Sequence, residues 1–424
     1  MISVRVLLFS LLYGSAVLAA PSLFGRSEVK KMSSASSSKV AGALYFMTNE
    51  PEGNFIVAAQ LNSDGTIRYD NAVATRGLGS HGVSDPLGPD GTFSQGTVKA
   101  SAAGKVLAAV NPGSSTISLF SINPKNPLLI SQIGQPVSSE GEFPMSVAFN
   151  KNGTQLCALN GGTVNGVNCY SVDATKGLVP IPNSLRSLSL NQTTPPNGPP
   201  GTTSHIIFNE DNTKLFASVK GVPPAQGFLA AWDVAADGSL SQDFSTITPP
   251  APGALPFSMT LVDGQNAVLV TDPGVGFDVL DLSSLDSNTQ NATSAKDSAN
   301  AIDGQSATCW SSFSSKTGNF YLTDIGTSIV TEVNVDQNLN ATIVKQYPQT
   351  PNSATIDNDI ATINGNDFMY VLTPNATSVA VLALPAPGQA KNVGSFDLAG
   401  PAKAAGLTIN PFNLQGMTTF ITQN

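Results

Sequence analysis

Charge is what this sequence is short of. Asp, Glu, Lys and Arg make up only 12% of its 424 residues, and acidic groups outnumber basic ones by 29 to 20. The net charge of −9 repels phosphate backbones and anionic lipid, so no nucleic-acid partner is expected. There are two histidines, three cysteines and two tryptophans. Beyond residue 38 the only arginines are Arg68, Arg76 and Arg186. No P-loop, no GxGxxG after a strand, no HExxH and no CxxC pair occurs, which removes nucleotide, zinc-protease and dithiol chemistry. Past the N-terminus no apolar run is long enough to span a bilayer, so membrane insertion is not expected.

What is present begins with export. Residues 1–19 combine Arg5, an apolar stretch and a small-residue end, the pattern of a cleaved secretory signal peptide. Residues 20–38 are polar and Ser-rich and read as a disordered tail or pro-segment, with Lys30-Lys31 as a candidate dibasic processing site. Five N-x-S/T sequons, at Asn152, Asn191, Asn291, Asn340 and Asn375, fit a secreted or cell-wall-associated glycoprotein.

From residue 39 to 424 the chain repeats one phrase. A short apolar run ends in a polar residue, then come a turn and a second run. The closing residues are Asn49, Asn111, Asn160, Lys220, Asp272, Asp324 and Thr373. A third strand precedes most copies, as in "PMSVAFNKNG", "SHIIFNEDN" and "PFSMTLVDG". A period of about 50 residues with several short strands per unit predicts an all-β, seven-bladed β-propeller of four-stranded antiparallel blades. One twisted sheet cannot bury both its faces, but seven packed radially bury each other's. The first repeat lacks an inner strand and the last is followed by spare ones, "AGLTINPF" and "GMTTFI". The C-terminal stretch is therefore expected to close the first blade and remove an open edge.

The runs "PFSMTLVDGQNAVLVTDPGVGFDVLDL", "GNFYLTDIGTSIVTEVNV" and "SHIIFNEDNTKLFASVKG" resemble the seven-bladed lactonase-type propellers. That family includes 6-phosphogluconolactonase-like proteins and fungal carboxymuconate lactonising enzymes, and the chain is most similar to secreted fungal relatives. The resemblance implies a lactonase- or isomerase-like enzyme acting on a lactone or sugar-derived compound at the funnel mouth. It rests on blade-packing motifs, so chemistry must be argued from the site.

Residues at the starts of the inner strands would face that mouth. His205, Glu142, Asp303 and Asp359 are the candidate acid–base residues, and Arg76, His81, Glu140 and Asp357 the candidate substrate-binding ones. A structural, hydrogen-bonded role for His205 is the competing reading. No cofactor is predicted, although carboxylates from neighbouring blades could hold a divalent cation. Carboxymuconate cyclisation is not expected, because a trianion calls for several arginines. A non-catalytic, adhesin-like propeller that binds glycans or host proteins stays open as the alternative, and the chain is read as a monomer. Cys157 and Cys169 flank the turn "GGTVNG" and are expected to pair across adjacent strands, leaving Cys309 free.

Overall fold

The computed structural model describes residues 40–285 and 291–423, so the signal and tail readings lie outside it. Seven antiparallel sheets form a ring, each with an innermost strand lining the axis. In blades 2 to 7 these are Val98–Ser101, Pro144–Phe149, Thr203–Phe208, Met259–Leu261, Thr308–Ser314 and Asn358–Ile363. Blade 1 takes its inner strand from the far end of the chain: Gln415–Ile421 pairs with Val40–Met47, Tyr45 opposite Thr418. The second half of the expected spare segment, "GMTTFI", thus closes the ring. "AGLTINPF" does not form a strand. A short helix, Ala399–Ala404, and a turn carry the chain back instead, Leu407 being buried beneath them.

Why the strands read as unbroken apolar runs follows from the ring. In Val40–Met47, Ala43, Tyr45 and Met47 pack toward blade 2, while Leu44 and Phe46 pack toward blade 7. Period-two alternation survives, but both faces are covered, so both are apolar. The core accordingly lies between blades: six clusters of buried side chains fill the seven interfaces. Trp232 and Trp310 are wholly buried within them.

Two of the closing polar residues, Asp272 and Asp324, anchor turns. Asp272 accepts from Gly274 N–H in its own turn and from Ala254 and Leu255 N–H in the loop leading to its blade's inner strand. Asp324 does the same with Gly326, Thr327, Ser306 and Ala307. One carboxylate thus fixes two loops that sequence places about 18 residues apart, which is the Asx-turn logic extended. Cys157 and Cys169 sit directly opposite on the second and third strands of blade 3 and form the disulfide. Cys309 is free and buried.

Candidate functional site in the axial channel

The inner-strand starts do not surround an open mouth. Residues 76–97, which connect blade 1 to blade 2, run across the axis as a strap, and 90–97 are buried. The Phe93 carbonyl accepts from Lys220 Nζ at 2.8 Å and from Ser204 Oγ, both in blade 4. Ser94 Oγ donates to Met145 O in blade 3, and the Ser94 carbonyl accepts from Trp310 Nε1 in blade 6. The Gln95 amide exchanges two hydrogen bonds with the Ser311 backbone. Asp90 Oδ1 accepts from Gln415 Nε2 in blade 1. A segment bonded to the inner edges of blades 1, 3, 4 and 6 can only lie in the channel.

Charges are buried behind this strap. Lys220 Nζ also donates to Thr203 O at 2.9 Å and to Ser204 Oγ, and lies 4.6 Å from the centre of the Phe257 ring. Burial lowers its affinity for the proton, and the negative charge of Asp90 opposes that. Asp90 is itself pushed up, by burial first and then by the charge of Asp357. Asp357 accepts from Gln415 Nε2 and Gly416 N–H at 2.8 Å each, and burial raises its carboxyl to about 7. These donors and acceptors are occupied by the protein itself.

The other end of the channel is open. A cavity of about 700 Å³ runs from Gln95 of the strap to the exposed turns at Ala102–Ala103 and Lys151. Blades 2, 4, 6 and 7 contribute Lys99, His205, Ser311, Ser312, Asn358 and Asp359 to its wall. His205 Nδ1 accepts from Met259 N–H at 3.0 Å, which puts the imidazole proton on Nε2. Nε2, in a side chain only 2% exposed, has no partner among the described residues. Burial, helped by the charge of Lys99, holds this ring well below the usual histidine pKa, so it is a neutral donor. Ser312 Oγ and Asn358 Oδ1 are likewise buried and unpartnered among the described residues. Asp359 accepts from Thr419 N–H and Oγ1 through Oδ2 and from Ile360 N–H through Oδ1. That tie to the closing strand leaves Oδ1 able to accept once more. Burial raises this carboxyl and Lys99 pulls it back.

Of the eight candidate site residues, the structure brings His205 and Asp359 to one cavity. Asp357 lies under the strap. Glu142 accepts from Thr194 Oγ1 in a loop of the strap side, away from His205. Asp303 is exposed on the loop leading to blade 6, its carbonyl accepting from Gln346. Glu140 flanks a shallow hollow beside Arg186. His81 sets Nδ1 2.6 Å from Gly82 O and Nε2 2.8 Å from Gly88 O, with its ring edge-on to Phe93. It thereby folds the strap's own loop. Arg76 reaches Gln135, Arg68 reaches Gln60, and Arg186 is bound by the carbonyls of Asn183, Leu185, Leu240 and Ser241. No arginine lines the cavity. Among the described residues no cluster of three metal-ligating side chains occurs.

Reading the sequence missed the strap, Lys99, Gln95 and the Ser311–Ser312 pair. One signal was there. Lys220 is the single cation among the seven closing residues, and only a partner arriving from outside its blade explains a lysine at a buried turn.

Residues 37–186 match the family described as Lactonase, 7-bladed beta-propeller. That match covers about a third of the chain, and the architecture of the whole is a seven-bladed propeller. Among solved structures, the periplasmic gluconolactonase of Pseudomonas aeruginosa superposes with a TM-score of 0.62 at 16% identity, over 90% of this chain and 99% of that one. A putative 6-phosphogluconolactonase from Bacteroides fragilis gives 0.59 at 12% identity, over 91% and 99%. One from Bacteroides uniformis gives 0.60 at 12%, over 84% and 97%. No curated protein matches the chain in sequence. At such identities the likeness to lactonase-type propellers is one of fold, and the cavity must carry the chemistry.

Proposed function

We propose that this propeller is an exported lactone hydrolase whose site is the open axial cavity, not the strapped mouth. The observation that carries the reading is the Nε2–H of His205, a buried donor in a side chain that lines the cavity, with no hydrogen-bond partner among the described residues. Unpaired buried donors are costly, and one at a cavity wall is best explained by a ligand acceptor. The carbonyl oxygen of a lactone supplies that acceptor. As water adds to the carbonyl carbon, the oxygen becomes an alkoxide, held by His205 Nε2–H and by the field of Lys99. Oδ1 of Asp359 takes the proton of the attacking water. The ring C–O bond then breaks and the leaving oxygen collects that proton, giving a hydroxy acid. His205 is an electrophile in this scheme, because its other nitrogen is spent on Met259.

Hydrolysis of δ-gluconolactone and γ-butyrolactone, followed by acid release, tests the scheme. His205→Ala should lower kcat by about 10²–10³-fold, the usual loss for one oxyanion donor. No turnover above buffer with either lactone, in folded protein, would overturn it. Carboxymuconate cyclisation is not expected, since all three arginines of the propeller are engaged away from the cavity.

One observation favours the adhesive reading as a second possibility. Val83 and Leu87, 52% and 55% exposed, stand on the strap's loop, which bridges to the neighbouring loop through Val83 and Asn197, and Val222 is 60% exposed on a separate loop after Lys220. Binding to glycans or cell surfaces that survives His205→Ala would support it. Export and glycosylation are part of the proposal, supported by the exposure of all five sequon asparagines. Mass spectrometry of the secreted protein tests both.

A further inference from the structure

The cavity is graded along its depth. All inner strands of a propeller run the same way along the axis, so position within a strand reports depth. His205 and Lys99 lie toward the strap end of their strands, above the Gln95 floor, as do Asn358 and Asp359. Ile207 follows His205 by two residues, about 6–7 Å nearer the open face. Phe149, Leu261 and Phe313 occupy corresponding late positions in blades 3, 5 and 6 and are only half-buried. Four consecutive blades therefore present a large apolar side chain at the rim of a cavity whose floor is polar. Blade 2 presents only small residues there, Ala100, Ser101, Ala102 and Ala103, and the polar Asn150 and Lys151 follow Phe149 at the rim of blade 3.

We propose that the ligand is an amphipathic lactone, its carbonyl at His205 and Lys99 and an alkyl or aryl substituent lying along Ile207, Leu261, Phe313 and Phe149. A bare sugar lactone is hydroxylated on every face and would set hydroxyls against this apolar arc. It would also leave much of the roughly 700 Å³ unfilled, a volume suited to a larger molecule. A substituent along the arc removes water from both surfaces. This proposal rests on the axial cavity being the lactone site, and it specifies what that site selects.

Calorimetric titration of the intact protein with γ-butyrolactone, γ-hexanolactone and γ-octanolactone reads the selection. Affinity should rise about three- to fourfold per added methylene, the usual gain for burying a CH₂. Leu261→Ser and Phe313→Ser should flatten that slope, leaving γ-butyrolactone affinity within about twofold. Lys99→Gln should weaken all three lactones by a similar factor and keep the slope. Thermal unfolding of each variant separates misfolding from lost contacts, and the wild-type slope itself requires no variant. Equal affinity across the series, or tighter binding of δ-gluconolactone than of γ-octanolactone, overturns the amphipathic assignment while leaving the cavity as the site. No binding of any lactone overturns both.

Discussion

The two histidines of this chain, one in the strap's own loop and one in the wall of the open cavity, do opposite things. His81 has both ring nitrogens against carbonyl oxygens of its own loop and its edge against Phe93. His205 has one nitrogen held by Met259 N–H and the other bare. The same contrast holds for the charges around them. Lys220, under the strap, has three protein acceptors, whereas Lys99 in the wall of the open cavity has no ion-pair partner among the described residues. Saturated groups build structure, and unsaturated ones are available to a ligand. Burial alone does not separate the two, since His205 and Lys220 are equally hidden.

The sharpest way to break this comparison is to remove the cation that holds the strap. Lys220→Met keeps the bulk but takes one donor each from Thr203 O, Ser204 Oγ and Phe93 O, the last of which keeps the Ser204 hydroxyl. It should cost about 3–5 kcal/mol in a urea titration, the usual loss when one member of a buried polar and charged cluster is removed. Lys99→Gln, at a half-buried side chain with no ion-pair partner among the described residues, should cost less than about 1 kcal/mol while weakening lactone binding. Equal stability losses at the two positions would erase the distinction drawn here.

A second test uses pH. Asp357 titrates at about 7 when folded, against 3.8 for the ordinary group. A raised carboxyl contributes fully below pH 3.8, and that contribution is lost as pH rises to about 7. The unfolding temperature should therefore fall over this window, by a free energy on the order of 2–4 kcal/mol. Asp357→Asn should flatten the dependence. At lower pH the sign reverses: Asp173, whose turn hydrogen bonds to Lys176 and Thr175 hold it near 2, contributes above 3.8 and loses that contribution as pH falls toward 2. Asp64, Asp211, Asp237 and Asp336 are lowered by similar turn hydrogen bonds and act in the same direction. His205, held below its ordinary 6.5 by burial, loses its contribution as pH falls below that value and opposes Asp357 over part of the window, so the Asp357 effect is read as the difference between wild type and Asp357→Asn.

A smaller effect is expected from the disulfide, which lies in blade 3 away from the axis. Its two cysteines are 12 residues apart, so Cys157→Ser with Cys169→Ser should lose about 2–3 kcal/mol by the chain-entropy estimate. Lactone binding should not change.

Much of the ring was legible because its rules are local and repeated. Each blade repeats the same apolar phrase, and Asp272 and Asp324 could be assigned to turns from their TDxG settings alone. The closure at Gln415–Ile421 followed from a missing first inner strand. What sequence could not supply was which end of the channel is open. That depends on residues 76–97 meeting Ser204, Met145, Trp310 and Gln415, contacts spanning 51 to 325 positions. No local pattern encodes such meetings. Lys99 was overlooked for the same reason: it becomes notable only when blade 7 brings Asp359, and blade 4 His205, to the same cavity.

Having only two histidines, one in the strap's loop and one in the cavity wall, makes the central claim directly measurable. Imidazole nitrogens can be followed by ¹⁵N NMR in uniformly labelled protein as γ-octanolactone is added. His205 should register as a neutral Nε2–H ring through the range in which free histidine titrates near 6.5. Its Nε2 resonance should move with lactone concentration while His81 stays fixed. Movement of His81 with His205 unchanged would place the ligand on the strapped face and contradict the account.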